Sequence, residues 1–225
     1  MPTSKSLSLV AILVCLCLVT VRPLAVSFDG GMQIIDNARV TVWDVIWPSA
    51  HGPAQRVAND MVTIALTDGP TKVIDTTGAE KTVTRGIGDV IFDLRGQGHR
   101  AESAGAQVPH DIVIELKNGK VAPLANKSGY PDAFPRPGSK KILENAQIVA
   151  WDYTWTPGVP TPMHFHDKDV VVVYLETGEL ASTAPDGQVQ NNPHYFGFTK
   201  FNVRDRSHTE TLVKGKGRAV IVELK

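Results

Sequence analysis

From Phe28 to the last residue, apolar side chains fall in short β-branched runs divided by Gly, Pro, Asn and Asp, and no stretch sustains a helical period. The pattern predicts an all-β protein. It also repeats. The run that starts at Asn37 and carries Val42, Trp43, Asp44 and Trp47 returns at Asn145 with Ala150, Trp151, Asp152 and Trp155, and Ile112 to Lys117 returns as Val220 to Lys225. The copies lie 108 positions apart at both ends and 109 in the middle (Gly69 to Gly178, Gly88 to Gly197, His99 to His208), so one residue is gained in a loop and lost again.

Two copies predict two barrels in tandem, with modules over residues 28–117 and 144–225. Between them, residues 118–143 carry Gly119, Pro123, Gly129, Pro131, Pro135, Pro137 and Gly138, a density of turn formers that predicts a connector running over the surface. The duplication also sorts residues by role. Those kept in both copies, Trp43 with Trp151, Trp47 with Trp155 and Asp44 with Asp152, are expected to serve the fold. A residue kept in one copy is a candidate for chemistry.

The first residues depart from this pattern. Lys5 precedes an apolar run from Leu9 to Val21 that ends at Arg22-Pro23, which predicts a secretory signal over residues 1–25 and a secreted or periplasmic protein. The run is short for a bilayer-spanning helix, which needs roughly 20 apolar residues. Both cysteines, Cys15 and Cys17, lie inside it, so a processed chain would have no thiol for a disulfide, a nucleophile or a metal. Twenty-three basic and 23 acidic side chains cancel to a net charge of zero, which gives no electrostatic argument for nucleic acid or an anionic membrane surface as a partner and leaves a small-molecule ligand or substrate as the expected one.

Candidate chemistry concentrates in the second module. His164 and His166 flank Phe165 at the head of an apolar run, so strand alternation places both imidazoles on one face. His208, after a second strand-like segment beginning near Gly197, is the best source of a third ligand. In the first module these positions fall on Gln55, Val57 and His99, which predicts a degenerate site.

At this point the chain resembles the cupin superfamily. Gly158 is followed by five residues and His164-x-His166, the motif closes at Gly178, and a second motif runs eleven positions from Gly197 to His208, as from Gly88 to His99. The resemblance implies a bicupin, two tandem double-stranded β-helix (jelly-roll) barrels. Where the family usually offers a metal-binding glutamate this chain has Val170 and Val171. The resemblance therefore implies the three-histidine class, among which cysteine dioxygenases and diketone-cleaving enzymes use ferrous iron, over manganese-dependent oxalate-degrading or germin-like cupins. Three neutral imidazoles suit Fe, Zn, Cu or Ni better than Mn, and leave positions open for substrate or water.

Arg204, Arg206 and Glu210 share the parity of His208 in a regular strand. Arg206 is a candidate anchor for a substrate carboxylate, and Glu210 a candidate general base or partner of the ligands. Asp167 and Asp169 are expected in solvated turns, and His51, His110 and His194 on the surface. Tyr153, Tyr174 and the aromatics Tyr195 to Phe198 are candidates to line the cavity, with core packing as their ordinary role. Two functional classes stay open: a metal-dependent enzyme, either dioxygenase-like or a metal-assisted lyase or hydrolase, and a non-catalytic metal- or ligand-binding module. The resemblance further implies a homodimer or larger ring.

Overall fold

The computed structural model describes residues 31–47, 54–117, 119, 121–122 and 124–225. The expected signal segment with its two cysteines, and His51, lie outside the described residues. Within them the chain is all-β, as the alternation predicts, with no helix.

The first copy supplies β1 (Gly31–Asp36), β2 (Val40–Ile46), β3 (Asp60–Ala65), β4 (Gly69–Asp75), β5 (Glu80–Arg85), β6 (Val90–Asp93), β7 (His99–Ser103) and β8 (His110–Leu116). They form a five-stranded sheet in the order β1-β2-β8-β3-β6 and a three-stranded sheet, β5-β4-β7. The second copy supplies β9 (Lys140–Glu144), β10 (Ile148–Trp155), β11 (His164–His166), β12 (Asp169–Tyr174), β13 (Gly178–Thr183), β14 (Val189–His194), β15 (Thr199–Asn202), β16 (Arg206–Gly215) and β17 (Gly217–Leu224). Its sheets are β15-β12-β17-β10-β9 and β11-β16-β13-β14. The repeat holds in the register: Val42 and Val62 both face Ile114 across their ladders, as Ala150 and Val171 both face Val222. The motif glycines Gly88 and Gly197 take φ of +91° and +81°, a turn conformation that costs a side-chain-bearing residue energy, just before β6 and β15.

Each barrel has its own interior. Trp43, Val45, Trp47, Val57, Met61, Ala101 and Val113 fill the first. Val149, Trp151, Tyr153, Trp155, Val170, Val172, Tyr174 and Ile221 dominate the second. The paired tryptophans are thus packing residues, and each paired aspartate has a side-chain partner, Asp44 the His110 ring at 2.6 Å and Asp152 the Arg218 guanidinium at 2.9 Å.

The opposite faces of the five-stranded sheets are not solvated. Val42, Val62, Ile64, Ile112 and Ile114 of one sheet share a buried cluster with Ala150, Val171, Val173, Val220 and Val222 of the other. Each central strand is therefore covered on both faces, which is why Val170 to Val173 read as a continuous apolar run. Asp169, expected in a solvated turn, lies in this region: it is buried on β12, pairs with Arg39 of the first barrel at 3.3 Å, and accepts from the Arg204 amide at 2.9 Å.

The connector also departs from expectation. It leaves the surface to bury Ala133, Phe134 and Arg136 against the second barrel, and β9 begins inside it at Lys140. Its backbone pairs with β11: the Phe165 amide donates to the Pro131 carbonyl and the Ala133 amide to the Phe165 carbonyl, both at 2.8 Å. The turn formers stopped a regular element but did not keep the segment in solvent.

Candidate metal centre

The short β11 pairs antiparallel with β16, and the register sets His164 directly opposite His208 and His166 opposite Arg206. Alternation then turns His164, His166 and His208 to one face, into the barrel, while Phe165 packs on the other side. The ring centroids are 5.0 Å (His164 to His166), 4.8 Å (His164 to His208) and 5.0 Å (His166 to His208) apart. One ligand nitrogen from each lies within 4.8 Å of the others, and all three residues are buried. The three predicted ligands therefore converge.

Their unsatisfied atoms fit a cation. Both nitrogens of His166 are buried with no hydrogen-bond partner, a costly condition for an ordinary core residue, and Nε2 of His208 meets only the Glu210 carboxylate, at 3.5 Å. His164 Nδ1 lies 2.8 Å from the Pro162 carbonyl; donating there fixes the tautomer that leaves the Nε2 lone pair facing the barrel. Burial, with Arg136 and His208 nearby, pulls His164 down to about 4, and burial, with Arg206 and the other imidazoles, holds His166 well below its ordinary range. Both are neutral at neutral pH, the form that binds metal.

Around the imidazoles is a cradle of charge. Glu210 is held by the Arg136 guanidinium at 3.2 Å and the Trp155 indole N–H at 3.1 Å, with its other oxygen 3.5 Å from His208 Nε2. Burial alone would raise its pKa, but the His208 hydrogen bond and the charge of Arg136 outweigh it and hold the carboxyl well below its ordinary range. Arg206 lies with its guanidinium 3.3 Å from His208 Nδ1. Arg136 lies 3.2 Å from His164 Nε2 and stacks over the Tyr153 ring at 4.0 Å.

Sequence reasoning brought Arg206 and Glu210 to the site and missed Arg136, whose connector has no periodicity to reveal an inward face. It also placed Arg204 here wrongly. Asp205 adopts φ +64°, which breaks the alternation, and Arg204 turns outward to donate to the Ala122 carbonyl at 2.6 Å. His194 is not on the surface: it is buried and stacked on Tyr174 with centroids 4.2 Å apart. Tyr174 lines the site cavity, whereas Tyr195 and Phe196 are exposed and do not.

The lowered imidazole pKa values carry a stability prediction. Between about pH 6.5 and 4 the unfolded chain takes up a proton that native His164 refuses, so the contribution is complete above 6.5 and lost as pH falls toward 4. For the metal-free protein this amounts to roughly 3 kcal/mol from His164, with His166 acting in the same direction. Urea midpoints of metal-free protein at pH 7.5, 6 and 4.5 should fall steeply, and His164→Gln should flatten the dependence.

The comparisons agree with this geometry at the level of fold. A cupin 2 conserved barrel domain protein from Leptotrichia buccalis matches with a TM-score of 0.53 and 14% identity, over 87% of this chain and 88% of that one. AerE from Microcystis aeruginosa matches with a TM-score of 0.57 and 10% identity, over 87% and 97%. An oxalate decarboxylase from Bacillus subtilis with Mn(II) centres matches with a TM-score of 0.52 and 11% identity, over 82% and 67%. The chain has the cupin fold. No protein-family model matches this chain. A beta-alanine degradation protein, BauB, from Pseudomonas aeruginosa is 35% identical over 60 residues, 27% of this chain and 59% of that relative. The match thus spans less than two thirds of the relative's length.

Proposed function

We propose that the second cupin barrel of an exported bicupin holds one divalent transition metal through His164, His166 and His208 and acts on a small carboxylate-bearing molecule. The observation that carries this is the convergence of three buried imidazoles, of which His166 has no hydrogen-bond partner at either ring nitrogen. Bound there, an iron, zinc, copper or nickel ion would supply Lewis acidity or, for the redox-active metals, access to dioxygen chemistry. The chain's own groups do the rest. A metal held at His164 Nε2 would displace only the Arg136 contact at that nitrogen; Arg136, still paired with Glu210 at 3.2 Å, and Arg206 would then stand beside the ion as cations able to meet a carboxylate. Glu210, ionised and beside His208, is placed to orient that imidazole, and its lowered pKa makes it a partner of the ligands more than a base. The name of the partial relative BauB refers to β-alanine, which carries a carboxylate of the kind this cradle fits. The apolar run from Leu9 to Val21 supports export.

A second reading, a closed metal- or ligand-binding module without turnover, is favoured by the cavity beside His166 and Glu210, which measures about 20 Å³. That is room for little more than one water. Turnover requires the buried connector around Phe134 and Arg136 to move.

Elemental analysis of protein purified without added metal should find about one transition-metal ion per chain. Turnover or oxygen uptake should appear with a short amino, hydroxy or keto carboxylate from a panel that includes β-alanine. Arg136→Met should keep the metal and raise KM by about 10- to 100-fold, the scale of losing one charge-assisted contact. Protein free of metal would sink the whole reading, and metal without turnover would leave the closed module.

A further inference from the structure

The two barrels differ where the small sheet and the large sheet part at their edges. In the second barrel Asn192 of β14 lies opposite Leu180 and Lys200 of β15 lies opposite Val172, both members of that barrel's interior cluster, so both side chains turn inward. There they meet. Lys200 Nζ donates to Asn192 Oδ1 at 3.1 Å, and the Asn192 amide donates to Ser182 Oγ at 3.2 Å. This polar chain ties the edge of one sheet to the edge of the other.

At the 109-residue offset Ser182, Asn192 and Lys200 fall on Val73, Val83 and Ile91. The facing is the same: Val73 lies opposite the core residue Ala101, Val83 opposite buried Thr71, and Ile91 opposite buried Thr63. None of the three can form the tie. Where it would run, the first barrel has a cavity of about 640 Å³ with all three residues on its wall, against about 20 Å³ beside the histidine cluster. That is the size of a small-molecule site, typically roughly 300–1,000 Å³. Ile142, Lys140 and Lys141 of β9 also border the cavity, so both halves of the chain build it.

The charge of the lining is one-sided. Lys81, Arg85, Lys140 and Lys141 stand against a single carboxylate, Asp89, which already accepts from the Gly86 amide at 2.7 Å. Arg85 is committed to Asp111 and Lys141 to Glu144, whereas Lys81 and Lys140 have no ion pair among the described residues. Lys81 lies opposite Val73 in the β4 and β5 ladder, so an uncommitted ammonium and the apolar wall share one face. No aromatic ring borders the cavity, and nothing there stacks on a planar ligand. Aliphatic walls with two free cations fit a ligand that has an aliphatic chain and one negative end.

We propose that this cavity binds a monocarboxylate with a medium-length aliphatic chain, the chain lying along Val73, Val83 and Ile91 and the carboxylate met by Lys81 and Lys140. The site is separate from the metal centre and does not rest on the activity proposed for it.

The test is titration of the full chain with octanoate, followed through side-chain methyl resonances, with octanol and octylamine as controls. Octanoate should saturate one site and shift the methyls of Val83, Ile91 and Ile142, while those of Val172 and Ile221, which line the cavity beside the histidines, stay in place. Octanol should bind about tenfold more weakly, the scale of one charge-assisted contact, and octylamine more weakly still. Lys81 and Lys140 are exposed, so the double variant Lys81→Glu with Lys140→Glu should fold; it should weaken octanoate by about tenfold or more, leave octanol unchanged and strengthen octylamine. Val83→Asn with Ile91→Lys, the pair the second barrel uses, should weaken octanol by about tenfold by removing the apolar wall. His166→Ala should leave octanoate binding unchanged. The proposal is overturned if octanoate shows no saturable binding, if octanol binds as tightly as octanoate, if the shifts fall in the second barrel alone, or if the double lysine variant binds octanoate as the native protein does.

Discussion

Replacing His208 with alanine should lower metal affinity by about two to three orders of magnitude, beyond the 10- to 100-fold typical of losing a group that merely supports a ligand. His208 faces His164 across the β11 and β16 ladder with rings 4.8 Å apart, so its removal leaves two imidazoles on one short strand and no third donor opposite them. The fold should survive, because the ring takes no part in the backbone pairing and the strand is held by β13 as well. Competition with a chelator gives the affinity, and a far-ultraviolet dichroism spectrum checks the fold. His166→Ala should behave alike, whereas Arg206→Met should keep most of the affinity. Undiminished metal content in both alanine variants would place the ion elsewhere.

Ile114→Ala should destabilise the protein by about 2 to 5 kcal/mol and should loosen both halves together. Ile114 is fully buried on the central β8, inside the cluster shared by the two large sheets. Its truncation leaves a gap that two rigid surfaces cannot close. The informative measurement compares two signals during urea unfolding of the metal-loaded protein: total strand content and release of metal from the second barrel. Both midpoints should move down in step. If metal release keeps its native midpoint while strand content does not, the barrels are energetically separate and the shared cluster contributes little.

The all-β class, the duplication and the three imidazoles could be read from the amino acids because each rests on spacing. A period of two sets the face of His164 and His166, and a shift of 108 or 109 positions carries one module onto the other. What escaped rests on distance in space. Nothing local marks Phe134 and Arg136 as buried, since a proline-rich segment looks the same whether it crosses solvent or a barrel mouth. The run Val170 to Val173 announced a strand covered on both sides, but not that its outer cover is the other half of the same chain. Arg204 failed for a third reason: one residue with positive φ, Asp205, shifts the facing of everything before it.

The cluster that joins the two large sheets has a historical reading. A polypeptide folding into one such barrel would expose that apolar face and satisfy it by pairing with a twin, an association that weakens on dilution. Fusing the twins end to end makes the encounter intramolecular and independent of concentration. Once fused, the halves no longer need to be identical, and one can lose two of the three clustered imidazoles while still serving as the other's structural mate.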